Sequence, residues 1–316
     1  MTDELQPDEF AQAAAAAIAD ADGRDARSTA KVLANAGLTG VCASEAAGGL
    51  GLHIAFALPV AVAAGRAQLA FPLLEQMLLA KALGDGEYAA QLVSGERLAT
   101  WALQGSLGAG LAGPARGAAG AHWALVADGQ GGALCALEAA AVQQDLALDP
   151  ESPQDWLDLS GLQVLVRLEP EAMVGLRRDL DLLVTGYVNG IASVALARTA
   201  EYTSTRVQFG KPLAAHQAVR HALARMCLVT ESVDAAAHRL LSTDEFGQVR
   251  GSRPVVAYAI AQAAWVLEQA IQLHGGMGFT WALPLHRGLR EIRKWDAAYG
   301  AGAIERQCGQ QFIEAA

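Results

Sequence analysis

Arg206-Val-Gln-Phe-Gly210 runs directly into Lys211-Pro-Leu-Ala-Ala-His-Gln217, and the reading of the whole chain turns on this stretch. Apolar residues recur at helical spacing on both sides of it, so it is a short loop held between two long helices. Arg206 can meet phosphate oxygens through two parallel hydrogen bonds, which a lysine cannot reproduce. Phe209 can cover a ring face, and Gln208 and Gln217 can each donate and accept. With His216 alongside, the set suits an anionic aromatic ligand. Taken alone, the same residues fit an arginine that ties a loop to a nearby carboxylate.

Working outward, Gly186, Gly190, Ser193 and Ala197 form a small-residue stripe on the preceding helix, where another helix can lie close. After the loop, Pro212 suits a first helical turn, and Val219, Leu223 and Met226 continue an apolar face. Ser252 and Pro254 read as the cap and first turn of a helix carrying Val256, Ile260, Leu267 and Ile271. Gly275 and Gly276, within Gln272-Leu-His-Gly-Gly-Met-Gly-Phe279, would end that helix, because glycine accepts a left-handed cap.

Upstream, residues 8–95 read as helices, with a glycine-rich connection ending in Gly48-Gly-Leu-Gly-Leu52 and a helix opening at Phe71-Pro72. Between 96 and 170 the pattern changes to short apolar runs, 98–103, 122–127, 133–137 and 162–167, bounded by Gly, Asp or Pro. No helix separates them, which argues against a parallel α/β sheet. The expected organisation is a helical domain over 1–95, a short β domain over 96–170 and a helical bundle over 171–316. Gly108-Ala-Gly-Leu-Ala-Gly113 fits GxGxxG, but no apolar helical face follows, so it reads as a flexible loop rather than a dinucleotide site.

The chain has 316 residues, is 53% hydrophobic and 18% charged, and carries a formal net charge of −10. That balance provides for a large core and for surface buried between subunits, and it argues against nucleic acid as a partner. Cys42, Cys135, Cys227 and Cys308 are scattered without metal-ligand spacing, so they read as small buried hydrophobes, with no metal site. The acidic start, Met1-Thr-Asp-Glu-Leu-Gln-Pro-Asp8, has no basic segment before an apolar core and does not read as a signal peptide. The longest apolar stretches, around 54–64 and 255–267, look interrupted or too short to span a bilayer. The expectation is a cytoplasmic protein without a membrane partner.

The Arg206–Gln217 stretch, followed by Gln272-Leu-His-Gly-Gly-Met-Gly-Phe279, resembles the acyl-CoA dehydrogenase family, strongly from 183 to 306 and weakly before. The resemblance implies a mainly α fold with a small central β domain and a C-terminal four-helix bundle. It also implies FAD as cofactor, gripped by motifs from neighbouring subunits. Arg206, Gln208 and Phe209 would then contact the diphosphate region, with His216 and Gln217 nearby. Gln272, His274, Gly275 and Gly276 would meet the adenosine part. The family's usual Thr-Glu-Pro-x-x-Gly-Ser-Asp-like segment against the flavin ring is missing between Trp101 and Asp128.

Its catalytic glutamate is missing too. Ungapped counting puts Tyr299 at that position, and the alternative position on the preceding helix holds Leu180, flanked by Asp179 and Asp181. Those aspartates point about 100° to either side. Glu291, Glu305 and Glu314 read as surface or ion-pair carboxylates, with Glu291 supporting Arg290. No residue of this chain is therefore assigned as catalytic. The resemblance implies the shortened subunit of a hetero-oligomer, as in bacterial enzymes acting on bulky or steroid side-chain thioesters. A second subunit would supply the glutamate, an acyl-CoA would be the substrate, and an electron-transfer flavoprotein would take the electrons. A flavin monooxygenase or oxidase of the same fold, and a purely structural subunit, are the alternatives.

Overall fold

The computed structural model describes residues 6–146, 148–149 and 152–315; Met1–Leu5 of the expected signal-free start lie outside them. Five helices open the chain: α1 (Pro7–Ala21), α2 (Ala26–Asn35), α3 (Ala57–Ala67), α4 (Leu73–Ala82) and α5 (Glu87–Val93). Asp25 caps α2, its carboxylate accepting from the amides of Arg27 and Ser28. The Phe71-Pro72 start of α4 falls as expected.

Eight strands follow: β1 (Ala99–Trp101), β2 (Gln104–Ser106), β3 (Leu111–Ala115), β4 (Trp123–Asp128), β5 (Gly131–Ala136), β6 (Val142–Asp145), β7 (Gln154–Asp158) and β8 (Val164–Leu168). They form two four-stranded sheets, ordered β1-β4-β5-β8 and β2-β3-β7-β6. Only the β1–β4 pair is parallel. In β4, Trp123 and Leu125 face the main core while Ala124 and Val126 face the second sheet. A sheet buried on both faces reads as an unbroken apolar run, which is how β4 and β5 look in sequence. The second sheet was not anticipated. Its strand β3 includes part of the glycine-rich GxGxxG stretch, so that stretch is a strand in part and not wholly a flexible loop.

The remainder is helical: α6 (Pro170–Thr205), a two-strand hairpin of β9 (Val207–Gln208) and β10 (Lys211–Pro212), then α7 (Gln217–Leu240), α8 (Arg253–His274), α9 (Leu285–Ala298) and α10 (Ala303–Ala315). Helix α6, at 36 residues, is the central post. Gly65 of α3 and Gly190 of α6 let these two helices touch backbone to backbone: a Cβ at Gly65 would collide with the Tyr187 carbonyl, and one at Gly190 with that of Val62. Ser252 does not cap α8 with its side chain; its hydroxyl donates to Asp181 instead.

By length and composition, α6 and the segment Arg253–Phe279 could each cross a membrane, longer spans than the sequence reading allowed. In the fold they are core helices, with 78% and 50% of their apolar windows buried inside the chain. Cys42 and Cys135 are buried as expected, but Cys227 is exposed on α7. That side chain sits on the bundle's outer face and is no core hydrophobe.

Candidate functional site

Helix α6 ends at Arg206 and the chain turns at once into the β9–β10 hairpin, whose loop is Phe209-Gly210. Both loop residues have positive φ, 55° and 79°, the pattern of a two-residue hairpin that normally takes Asn or Gly first. A phenylalanine there costs about 1–2 kcal/mol, and its ring is 92% exposed. Burial within this chain does not offset that strain. His216 steadies the hairpin: its ring meets Phe209 edge-on at 6.0 Å, and its Nε2 lies 3.4 Å from the Gln208 carbonyl oxygen.

Arg206 is exposed, and its guanidinium has no intrachain hydrogen bond or ion pair among the described residues. The tie to a nearby carboxylate, which the sequence left open, is therefore not made among the described residues. Gln208 folds its amide onto the Val207 carbonyl at 2.8 Å. Gln217, exposed, is the first residue of α7, whose N-terminus carries no side-chain cap. An uncapped N-terminus beside a free guanidinium favours an anion.

The second motif converges on the same end of the bundle. Helices α6 and α8 run parallel, joined at one end by Ser252–Asp181 and at the other by Tyr202 stacked on His274 at 4.4 Å. Gln272, Gly275 and Gly276 are exposed there, together with Met277, Phe279 and Trp281. Two expectations change. His274 is 4% exposed and its Nδ1 donates to the Ala270 carbonyl at 2.7 Å, so it supports the surface from beneath instead of presenting to a ligand. The Gly275 amide donates to the Gln272 carbonyl, so this glycine is needed for its φ of 60° and not as a free donor.

Tyr299 is buried, and its hydroxyl donates to Asp181 Oδ1 at 2.9 Å. Asp181, 0% exposed, also accepts from Ser252 Oγ at 2.7 Å and pairs with Arg253 at 3.5 Å. Burial, then the adjacent Asp181, holds the Tyr299 phenol well above its ordinary range. Burial also raises the Asp181 carboxyl, against the hydrogen bond from Ser252 and the charge of Arg253. Asp179 is taken by Lys81 at 2.6 Å, and Leu180 is fully buried.

A second charged cluster had no signal in the sequence. Arg116, in the glycine-rich segment after β3, lies between the rings of Tyr187 and Trp295 at 5.0 and 4.9 Å. It pairs with Glu75 at 3.5 Å and Glu291 at 3.2 Å, and Lys294 meets Glu291 at 2.6 Å. Burial pushes Glu75 up, only partly opposed by Arg116. For Glu291, burial is outweighed by Arg116 and Lys294, and its carboxyl is lowered. Glu291 thus does not support Arg290, which pairs with Asp149 at 3.3 Å and stacks on Trp281.

A helical domain, a two-sheet β domain and a helical bundle with an anion-ready surface at one end define the acyl-CoA dehydrogenase fold. The solved structure titled Tcur3481-Tcur3483 steroid ACAD G363A variant superposes with TM-score 0.83, at 22% identity and 98% coverage of both chains. The ChsE4-ChsE5 complex from Mycobacterium tuberculosis gives TM-score 0.79, at 24% identity and 99% coverage of both chains. Residues 182–313 match the family model for the acyl-CoA dehydrogenase C-terminal domain. Acyl-CoA dehydrogenase FadE34 of Mycobacterium tuberculosis is 31% identical over 289 residues, 86% of this chain and 39% of that protein. Residues 182–313 therefore carry the C-terminal domain of the acyl-CoA dehydrogenase family, and the whole chain has the acyl-CoA dehydrogenase fold. Its alignments span 33% to 39% of the length of the first curated relatives.

Proposed function

We propose that this chain is a cytoplasmic subunit of a hetero-oligomeric, FAD-dependent acyl-CoA dehydrogenase. It contributes FAD contacts and assembly, while a partner subunit supplies the glutamate base. The observation that carries this reading is the closed Tyr299–Asp181 pair. At the position where the family holds its glutamate, this chain has a buried phenol of raised pKa whose proton is already committed. Such a group cannot take an α-proton from a thioester at neutral pH.

The exposed end of the bundle fits the cofactor by its donor set. Arg206 would hold the diphosphate, the α7 N-terminus adds a favourable dipole, and the Phe209 ring stands out where a neighbouring subunit can receive it. Gln208, Gln217, Gln272 and Gly276 would border the rest of the nucleotide. Bound FAD would supply the acceptor for the β-hydride of the acyl-CoA, with an electron-transfer flavoprotein as the partner that would take the electrons. The substrate assigned is a bulky or steroid side-chain acyl-CoA, supported by the fold shared with the steroid ACAD chain and with the ChsE4-ChsE5 complex.

Co-purification with a second family member that carries the glutamate tests this. The chain alone should hold little flavin by visible absorbance, and the complex should be yellow and reduce on acyl-CoA addition. A yellow homo-oligomer of this chain with one FAD per subunit and dehydrogenase activity would overturn it.

A further inference from the structure

A groove of about 410 Å³ lies where α5 meets the first sheet. Helix α5 contributes Tyr88 and Gln91, the residues leading into β1 and β4 contribute Arg97 and His122, and Trp123, Leu137 and Leu165 complete it. None of these lines the larger cleft of about 760 Å³ that contains Glu75, Arg116 and Glu291, and none belongs to the hairpin surface.

The polar side chains here are fixed at their base and open at their tips. The Leu98 carbonyl accepts from the amides of His122 and Trp123 at 2.8 and 3.1 Å, and the Leu98 amide donates to His122 Nδ1 at 3.1 Å. In the neutral ring that bond puts the proton on Nε2, which has no partner among the described residues. Burial, then the charges of Arg97 and Arg27, lowers the His122 pKa and keeps the ring neutral. Arg97 is pinned through its backbone, its amide to the Gln91 carbonyl at 3.0 Å and its carbonyl to the Gln76 side chain at 2.9 Å. Its exposed side chain makes no hydrogen bond or ion pair among the described residues. Trp123 is buried and meets Tyr88 edge-on at 5.2 Å, yet neither the indole N–H nor the phenol has a hydrogen-bond partner there. In a chain of net charge −10, no acidic side chain lines this groove. Glu87, on the same helix, is engaged by the Gln91 amide at 2.9 Å, and Asp25 stands beside Arg27 at the start of α2.

We propose that this groove is a binding site for a small aromatic carboxylate. The carboxylate lies between the Arg97 guanidinium and the His122 Nε2–H, and the ring lies against Trp123, Leu137 and Leu165. One guanidinium matches one negative charge, and its fork meets a planar carboxylate through two parallel hydrogen bonds. The indole and leucine faces supply most of the affinity. The site goes beyond the FAD and acyl-CoA reading and does not depend on it.

The probe is para-fluorobenzoate, followed by fluorine NMR line broadening on the full chain. It should saturate at one site, and para-fluorobenzamide, of the same shape without the charge, should bind about tenfold more weakly or worse. Arg97→Gln should weaken the carboxylate by a similar factor and leave melting unchanged, because the guanidinium holds nothing in the fold. His122→Asn should weaken it severalfold, since the Asn carbonyl can still accept from the Leu98 amide but the Nε2 donor is gone. Excess FAD or butyryl-CoA should not displace the probe. Equal binding of acid and amide, an unaffected Arg97→Gln or His122→Asn variant, or displacement by either compound would each overturn the assignment.

Discussion

Tyr299 donates its hydroxyl proton to Asp181 Oδ1 across 2.9 Å, and both side chains are buried. The pair joins the end of α9 to the first turns of α6, close to the start of α8, where Ser252 and Arg253 complete the carboxylate's shell. A phenol so placed holds three helices together and has no free acceptor role. Tyr299→Phe is therefore expected to destabilise the chain by about 1–3 kcal/mol, the cost of a buried acceptor losing its donor. Turnover of the assembled complex should stay nearly intact. Removing the glutamate of the proposed partner subunit should instead lower it about 10²–10⁴-fold. Parallel thermal melts and steady-state rates separate the two effects.

The same phenol gives an alkaline signature. Burial, then Asp181, raises Tyr299, and burial, then Glu291, raises Tyr187. In the unfolded chain phenols ionise near pH 10, about their ordinary value. Above that pH the unfolded state has fewer bound protons than the folded one, so stability falls as pH rises. The stabilisation is fully present below about pH 10. Melting temperature should drop as pH rises above about 10, the ordinary phenol value, and the drop should be shallower in Tyr299→Phe. Identical slopes in the two proteins would exclude Tyr299 as a contributor.

Arg116 ties the β domain to α4, α6 and α9 at once. Arg116→Ala leaves Glu75 unpaired in a buried setting and takes one of two cations from Glu291. A loss of about 3–5 kcal/mol is expected from breaking such a network. Adding Glu75→Gln should recover part of it, since a neutral amide has less to lose by burial. Urea unfolding of the single and double variants measures both steps. An additive double variant would mean that the two residues are not coupled.

These clusters mark the limit of what the sequence makes legible. The helical domains could be read from their period, and β4 and β5 from their unbroken apolar runs, because each lies in a single local segment. Strand β3, Leu-Ala-Gly-Pro-Ala, alternates nothing, and β2 and β6 are edge strands of Gln, Gly, Ser and Asp with a single Val, Val142. Their pairing is decided by neighbours distant in sequence. Arg116 sits among alanines and glycines, and only the packing of α4, α6 and α9 reveals its partners. The Arg290–Glu291 reading failed for the same reason: adjacent helical positions face different ways, and the partner of Arg290 is Asp149. The hairpin residues could be listed from the motif, but that His274 is covered by Tyr202 could not.

Phe209 keeps a left-handed backbone that glycine would hold without strain. Phe209→Gly should stabilise the isolated chain by up to about 1 kcal/mol, since the exposed ring loses no burial. In the assembled complex the same change should loosen subunit association and flavin retention. Sedimentation and melting would read the two in opposite directions. A variant that destabilises the chain alone would show the ring to be structural.

Arg206 offers the sharpest division between structure and function at this surface. Its guanidinium has no partner among the described residues, so Arg206→Ala should leave the melting of the isolated chain unchanged. In the complex, losing a charge-assisted contact to a diphosphate costs about 1.5–3 kcal/mol, more than tenfold in FAD affinity. Arg206→Lys should restore only part, because an ammonium cannot make the paired hydrogen bonds of a guanidinium. Flavin affinity can be followed by fluorescence recovery on dilution, with salt added to weaken the residual attraction. If Arg206→Ala holds FAD as tightly as the unaltered complex, the hairpin is an assembly device and the diphosphate is gripped elsewhere.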